Sequence, residues 1–414
     1  MHGLGVACGV VAGAWLGTAE APTKLVTAGF SPTVISLCMV AGVFVARWTL
    51  PTLMKGTRYV FRDLRIRAHL IVWGILAGAL WAVANTLTVY AIKDVGLSIA
   101  FPLWNTNSLV GLLWGCMLFR ELRGAGVKTW LKVVGGGVAV VIATIALGLA
   151  SVHPSAGAHA AHGGAGVIAA LGASLMWGTM YLPYRKAYLS GMNPLSFVTV
   201  FTVGELGTMS LVAWLLPGQG AALSTQLHLL RPAMFWLFLG GFCWVIGDMF
   251  QQYAAKYVGI GRGIPLANTN QLWGLAWGAM VFSELHGVSD TNRIVIIASS
   301  LLMIVGAIAI GSASAAAKEH HSRNLAIARE CERYGLDYDE AVALQSGLEG
   351  EGSARAWWDY VIVALGLGLF AWLSIGTRRP PLDLNVSWAA GLTVTVLIVL
   401  FAGGWLLWKR TRFS

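Results

Sequence analysis

Long apolar stretches recur along the chain, separated by short polar segments. A run of about 18 or more apolar residues can cross the hydrocarbon core of a membrane as a helix. Twelve such runs occur, at residues 3–21, 33–51, 68–91, 97–119, 128–150, 166–184, 196–216, 233–255, 263–282, 293–312, 357–376 and 386–408. They lack the alternation of barrel strands. The pattern therefore predicts an all-α polytopic membrane protein.

Composition and charge narrow the class further. Of 414 residues, 57% are apolar and 11% are charged, whereas soluble proteins carry about 25% charged residues. If the N-terminus is cytoplasmic, 22 of the 28 Lys and Arg residues face the cytoplasm, six of them from Arg47 to Arg67. By the positive-inside rule we expect both termini in the cytoplasm and the protein in a plasma membrane. The excess of Lys and Arg over Asp and Glu then orients the spans and contacts lipid headgroups, and it does not indicate nucleic-acid binding.

An internal repeat divides the chain into two similar parts. Residues 102–122 match residues 265–285 at 14 of 21 positions, at an offset of 163. Upstream, at the same offset, Trp81 and Asn85 align with Trp244 and Asp248. Each repeat holds five predicted spans, an odd number, so the second repeat enters the membrane from the opposite side. Such inverted repeats are typical of secondary transporters.

The repeat predicts four units along the chain. They are a first five-helix repeat (residues 1–150), an inverted second repeat (166–312), a cytoplasmic helical segment (313–355) and a two-helix membrane extension (356–414). In the cytoplasmic segment, Gly335 is a predicted helix stop and Asp337 a predicted N-cap. The sequence leaves open whether the extension packs on the core, forms a dimer or regulates.

Two related stretches resemble a known family. Residues 78–103 read GALWAVANTLTVYAIKDVGLSIAFPL and residues 240–266 read GGFCWVIGDMFQQYAAKYVGIGRGIPL. Each has a tryptophan, an amide or acid four residues later, and a Val-Gly…Pro hinge. They resemble the glucose/ribose porter branch of the drug/metabolite transporter superfamily, with its bacterial sugar-uptake proteins and rhamnose–proton symporters. The resemblance covers about residues 3–312 and implies a ten-helix sugar transporter.

Polar and aromatic residues inside the spans are the candidates for substrate binding. A sugar needs amide or carboxylate partners and flat aromatic surfaces within an apolar pocket. Two Asn-Thr-Asn triplets follow Pro102 and Pro265, where a proline kinks or breaks the helix. The candidates are Asn85, Trp104, Asn105, Thr106, Asn107, Asp248, Gln251, Gln252, Asn268, Thr269, Asn270 and Trp273. The alternative is that the amides bond between helices and the tryptophans pack.

Acidic residues within or at the ends of the spans are the candidates for coupling and gating. Asp248 and Glu205 lie deep in predicted spans, where ionisable residues are rare and usually functional. The alternative for Glu205 is a structural carboxyl bonded to a neighbouring Ser or Thr. Glu121 and Glu284 follow the fourth and the ninth predicted spans (97–119 and 263–282), at opposite membrane faces. We expect them to cap helix ends or to gate between the halves, with Pro102 and Pro265 as hinges.

These features predict a secondary active transporter that imports a sugar or sugar-like solute with protons by alternating access. The chain lacks Walker, GxSxG and HExxH motifs, so we expect no enzyme activity, cofactor or metal. The expected partners are the small-molecule substrate, protons and membrane lipids, and a homodimer remains open. The alternatives are a drug or metabolite exporter of the same superfamily, or a membrane scaffold or sensor that transports nothing.

Overall fold

The computed structural model describes residues 2–26, 30–118, 125–152, 163–216, 222–258, 266–312, 316–345, 355–378 and 383–411. Within these ranges the regular secondary structure is helical, as predicted. The helices are α1 (His2–Lys24), α2 (Pro32–Lys55), α3 (Arg58–Ile66), α4 (Leu70–Val95), α5 (Leu97–Trp104), α6 (Asn107–Leu118), α7 (Val127–Val152), α8 (Gly163–Leu189), α9 (Pro194–Leu215), α10 (Leu223–Leu230), α11 (Met234–Val258), α12 (Asn270–Ala276), α13 (Asp290–Gly311), α14 (Ala316–Tyr334), α15 (Tyr338–Gln345), α16 (Trp357–Ser374) and α17 (Val386–Thr411). A 3-10 turn precedes α11, and a π-helical segment (Trp277–Val281) follows α12.

Ten helical stretches in the described ranges are long and apolar enough to cross a membrane. The chain is therefore a multi-pass integral membrane protein. Two predicted spans, 97–119 and 263–282, are not single continuous helices. The first is divided into α5 and α6, and the described part of the second into α12 and the π-helical segment. In the first of these spans, the division falls just after Pro102, where a kink or break was expected.

Side-chain hydrogen bonds explain where the span 97–119 breaks. Asn105 Nδ2 donates to the carbonyl of Phe101 at 2.8 Å, and Thr106 Oγ1 donates to that of Leu103 at 2.8 Å. Such bonds compete with the backbone and favour turns over continued helix. Pro102, inside α5, has no backbone N–H to donate. The polar triplet and the proline together end α5 at Trp104, two residues after Pro102.

The helices of the core pack in matching pairs. α11 lies against α1 and α2, and α4 lies against α8 and α9. α2 also meets α9, α5 meets α12, and α7 packs along α13. Trp81 of α4 and Trp244 of α11 contact each other edge to face, with ring centroids 4.6 Å apart. These two tryptophans, aligned by the repeat, therefore meet at the contact between the two halves of the chain.

Glycines allow the closest crossings between core helices. At Gly78 and Gly204, where α4 crosses α9, an added Cβ would collide with the backbone of the facing helix. Gly42 and Gly241 do the same where α2 crosses α11. The offsets that align the halves pair Gly78 with Gly241 and Gly42 with Gly204. Both crossings thus depend on a glycine in each helix, at positions that the repeat aligns.

The segment between the core spans and the extension contains helices α14 and α15, which we call the α14–α15 hairpin (residues 316–345). Gly335 has a φ of +63° directly after α14, and Asp337 Oδ1 accepts the N–H of Glu340 at 2.7 Å. The predicted stop and cap are confirmed. The hairpin docks on the end of α8, where Lys186 forms an ion pair with Glu330 at 2.8 Å.

The two last helices pack against the core. α16 lies on α2 and α11, and α17 lies on α1 and the π-helical segment. At the start of α16, Asp359 accepts hydrogen bonds from Thr57 Oγ1 at 2.6 Å and from the N–H of Ala356 at 2.8 Å. Farther along, an added Cβ on Gly366 would collide with Thr49 of α2. The extension is thereby anchored both at its polar end and within the bilayer region.

Candidate substrate and coupling site

Asp248 of α11 lies in a buried polar cluster. Arg47 of α2 donates a hydrogen bond to it from Nη2 and forms an ion pair with it. Gln252, one turn along α11, donates from Nε2 to Asp248 Oδ1 at 2.9 Å, whereas Gln251 lies half-buried outside that bond. The guanidinium of Arg47 is also 5.4 Å from the ring centroid of Trp244. Asp248 is thus held by a cation and an amide inside the bundle.

Arg47, which the charge distribution places among the basic residues toward the cytoplasm, is buried inside the helix bundle. Arg47 lies within α2 and is 1% exposed. An unpaired guanidinium at this depth would cost several kcal/mol, so a carboxylate partner is required. The signal was present in the sequence, because Arg47 falls inside the apolar run 33–51 and Asp248 needs a counter-ion.

Glu205 of α9 is the second acid of the cluster. It is fully buried, and neither carboxylate oxygen has a hydrogen-bond partner in the described part of the chain. The alternative of a structural bond to a Ser or Thr is not seen there. Arg47 and Asp248 both lie within electrostatic range of Glu205. One guanidinium therefore lies among two carboxylates.

The counterparts of the ion pair in the other half are neutral. Asn85 of α4, which aligns with Asp248, donates from Nδ2 to Ser36 Oγ at 2.7 Å. Its Oδ1 is buried and has no partner among the described residues. At the offset of 162 that relates α2 to α9, Met209 is the counterpart of Arg47. The ion pair thus has no charged equivalent at the positions that the repeat aligns with it.

The Asn-Thr-Asn triplets meet each other across the two halves. Asn105 Nδ2 donates to Asn270 Oδ1 at 2.9 Å. Asn268 Nδ2 approaches Asn107 Oδ1 at 3.5 Å. Because the repeat aligns Asn105 with Asn268 and Asn107 with Asn270, the two bonds are reciprocal. The amides lie at the breaks in the helices, so the polar ends of two broken spans are joined here.

Tyr181 of α8 bonds to one triplet and lies near Asp248. Asn107 Nδ2 donates to its hydroxyl at 3.3 Å, and Asp248 lies within electrostatic range of the same ring. The threonine hydroxyls of the triplets already have hydrogen-bond partners. Thr106 Oγ1 shares a hydrogen bond with Ser174 Oγ at 2.7 Å, and Thr269 Oγ1 donates to a carbonyl one turn back. The asparagines and Tyr181 therefore offer more polar contacts than the threonines.

The two candidate tryptophans have different surroundings. Trp104 is fully buried between Phe101, at a centroid distance of 4.6 Å, and Trp177, at 5.9 Å. Trp104 thus packs against other aromatic rings, which agrees with the alternative of a packing role. Trp273 of α12 is half-buried and lies against Gly17 of α1, where an added Cβ would come within 2.5 Å of it. Trp273 retains an accessible surface and Trp104 does not.

Glu284 joins the end of the second broken span to the start of α5. Its carboxylate accepts the N–H groups of Leu97 and Ser98, both at 2.9 Å, and the hydroxyl of Ser98 at 2.8 Å. Lys24 of α1 lies 3.3 Å from the carboxylate of Glu284. A carboxylate at a helix N-terminus is favourable because it accepts free N–H groups there.

Two of the predicted gating and hinge residues, Glu121 and Pro265, lie outside the described residues.

Comparison with known proteins identifies related sequences. A family model described as "Sugar transport protein" matches residues 48–169 and 167–331. A protein of Streptococcus pyogenes serotype M6, named "Putative sugar uptake protein", is 23% identical over 247 residues, which are 59% of this chain and 79% of that protein. The family match includes Glu205, Asp248 and both triplets, and it continues beyond residue 312, where the resemblance was expected to stop.

Proposed function

Because this chain belongs to the sugar transport protein family, we propose that it is a secondary active transporter that imports a sugar or sugar-like solute together with protons. The name of the streptococcal relative refers to uptake, which favours import over export. We place the protein in the plasma membrane, a bacterial inner membrane, with both termini in the cytoplasm. The basic residues between the spans support that orientation.

We propose that residues 1–150 and 166–312 form an inverted repeat that alternates between two arrangements. The matching helix pairs support this, since α1–α11 corresponds to α8–α4 and α2–α11 to α9–α4. An inverted repeat gives alternating access when the two halves exchange conformations. The glycine crossings, aligned in both halves, allow the helices concerned to slide against each other at close range.

The reciprocal amide bonds between the two triplets carry this proposal. They join the breaks of two spans at the interface of the halves, which is where transporters of this kind bind substrate. We propose that Asn105, Asn107, Asn268 and Asn270 exchange these bonds for sugar hydroxyls when the halves separate. Trp273 is the better candidate for an aromatic platform, since it is half-buried whereas Trp104 is buried. Thr106, Thr269 and Trp104 would then shape the site through packing.

Asp248 and Glu205 are the proposed coupling acids. The buried cluster contains two carboxylates and one guanidinium, so one additional proton makes it neutral. Burying a surplus charge in a low-dielectric interior is costly, which favours binding of that proton. Tyr181 connects this cluster to the triplets, so proton binding and sugar binding can affect each other.

We propose that Glu284 closes one membrane face of the pathway. Its contacts with Leu97, Ser98 and Lys24 tie together α1, α5 and the end of the second broken span. Opening that face requires these bonds to break. By the repeat, Glu121 would do the same at the opposite face, with Pro102 and Pro265 as the adjoining hinges.

Purified protein in proteoliposomes tests the proposed function. We expect counterflow of a labelled sugar from a broad panel, and accumulation of that sugar when the lumen is more alkaline than the medium. A protonophore should abolish accumulation and leave counterflow intact. Efflux of lipophilic cations without sugar counterflow would favour the exporter. Folded protein that transports neither would favour a scaffold or sensor.

A further inference from the structure

Arg47 is the member of the buried cluster to which the proposed function gives no role of its own. It pairs with Asp248, while its Nε and Nη1 atoms are buried without a partner among the described residues. A guanidinium cannot lose its charge at any physiological pH, whereas a carboxylate can exchange its charge for a proton. The cluster therefore combines one permanent cation with two acids that can titrate.

The neighbouring helices bring no second cation into the cluster. Besides Arg47, Glu205 and Asp248, the titratable and charged side chains on α1, α2, α3, α4, α8, α9, α11 and α16 are His2, Cys8, Glu20, Lys24, Cys38, Lys55, Arg58, Tyr59, Arg62, Asp63, Arg65, Tyr90, Lys93, Asp94, Tyr181, Tyr184, Arg185, Lys186, Tyr188, Cys243, Tyr253, Lys256, Tyr257, Asp359 and Tyr360. The charged ones on the long helices lie toward helix ends, and α3 lies at the start of α9, where Asp63 accepts a hydrogen bond from Ser196. Lys24 pairs with Glu284, and Asp359 binds Thr57. Arg47 is thus the cation for which the two acids compete.

We propose that Arg47 competes with the transported proton for Asp248 and Glu205. In the arrangement described here, the guanidinium binds Asp248 and a proton on Glu205 removes the surplus charge. When the guanidinium moves to Glu205, that carboxyl releases its proton and Asp248, now unpaired, accepts another. One proton is bound and one is released in each exchange. The inference rests on the proposed proton coupling and assigns its mechanism to a residue outside the family match, which begins at residue 48.

The chain itself suggests a suitable variant. Met209 and Asn85 occupy the positions that correspond to Arg47 and Asp248 in the other half. The double substitution Arg47→Met/Asp248→Asn therefore copies the neutral side chains found at the aligned positions. It removes the ion pair as a unit, so neither Arg47 nor Asp248 is left buried without its counter-ion, as would happen in either single variant.

Transport by the full-length double variant in proteoliposomes tests the inference. We expect labelled-sugar counterflow to continue at a reduced rate, while accumulation driven by a pH gradient falls to equal concentrations on both sides. Accumulation that stays within about twofold of the wild type would overturn the role of Arg47. Loss of counterflow from a protein with an unchanged melting temperature would also overturn it, since the pair would then bind sugar.

A second variant covers the case in which the double variant does not fold. Arg47→Lys keeps the cation but changes its reach and hydrogen bonding. We expect its gradient-driven uptake to be slower, with a shifted pH midpoint. The same rate and midpoint as the wild type would overturn the inference. Absence of gradient-driven uptake in the wild type would instead refute the proposed proton coupling, so the two failures are distinguishable.

Discussion

The ion pair of Arg47 and Asp248 governs how single substitutions in the cluster act. Removing one member of a buried pair typically costs about 3–5 kcal/mol, because the remaining charge is uncompensated. Asp248→Asn would therefore lower stability as well as abolish a coupling acid. Glu205 has no bonded partner in the described chain, so Glu205→Gln carries less of this penalty. The two acids, both expected to couple, differ sharply in this respect.

The asparagines of the triplets yield a prediction at the same scale. We predict that Asn105→Ala and Asn268→Ala each weaken sugar binding about tenfold, a loss of about 1.4 kcal/mol. Each removes the donor of one interhelical bond, worth about 0.6 kcal/mol in the folded protein, so melting temperatures should change little. A thermal-shift titration with the transported sugar measures both quantities.

A matched control for the asparagine variants lies outside the site. Ser300→Ala on α13 removes a buried side chain that bonds to the carbonyl of Ile296 at 2.8 Å. Its sugar affinity should equal that of the wild type. If both asparagine variants also keep wild-type affinity, the triplets serve packing between the halves and nothing more.

At the scale of elements, the crossing of α4 and α9 depends on glycine. A Cβ on Gly204 would collide with the backbone of α4, and such overpacking costs about 1–3 kcal/mol. We predict that Gly204→Ala lowers the melting temperature in detergent. Gly207→Ala, one turn along α9, is the control, because its Cβ would meet no atom within 4 Å. Equal melting temperatures for the two variants would contradict a close crossing.

The contact that holds the α14–α15 hairpin on the core includes the titratable ring of His69. His69, just before α4, stacks on Tyr334 with a centroid distance of 3.7 Å. Burial lowers the pKa of His69, and Lys186 and Arg67 nearby lower it further, although Glu330 opposes them. The docked hairpin therefore favours the neutral ring, whereas the undocked state binds a proton more readily. Docking is fully favoured above a pH of about 6.5 and weakens as pH falls through the lowered pKa.

We predict that acid releases this hairpin. Cys331, buried in the dock, should react faster with a maleimide as the pH of pulse labelling falls below about 6.5, after correction for intrinsic thiol reactivity. His69→Phe keeps a stacking ring without a titratable nitrogen and should lose that pH dependence. The labelled site is read by peptide mass spectrometry. The same pH dependence in both proteins would exclude His69 as the cause.

At the scale of the whole molecule, the proposed topology predicts an even number of crossings. Cleavable tags on the two termini should both be digested in inside-out vesicles and both be protected in right-side-out vesicles. The reason is the strong bias of Lys and Arg to one side of the spans. Digestion of one tag in each type of vesicle would show an odd number of crossings and would contradict the twelve-span topology.

Much of the architecture followed from sequence because lipid imposes it. A backbone in hydrocarbon must satisfy its own hydrogen bonds, so long apolar runs become helices. The helix stop at Gly335 and the cap at Asp337 were likewise predictable, since both act within a few residues. The positions of the breaks in the spans 97–119 and 263–282 were less predictable. Prolines and triplets signalled a kink, but the end of α5 depended on side-chain bonds to carbonyls.

The sequence by itself determined the membrane environment, the repeat, the family resemblance and the short list of buried acids and amides. These are properties of composition, periodicity and local spacing. The tertiary structure decided which of those residues meet. Arg47 and Asp248 are 201 positions apart, and the two asparagine pairs of the triplets are 165 and 161 positions apart. Such contacts depend on how helices cross, through glycine-lined backbones and reciprocal bonds between the halves, and no local pattern encodes that geometry.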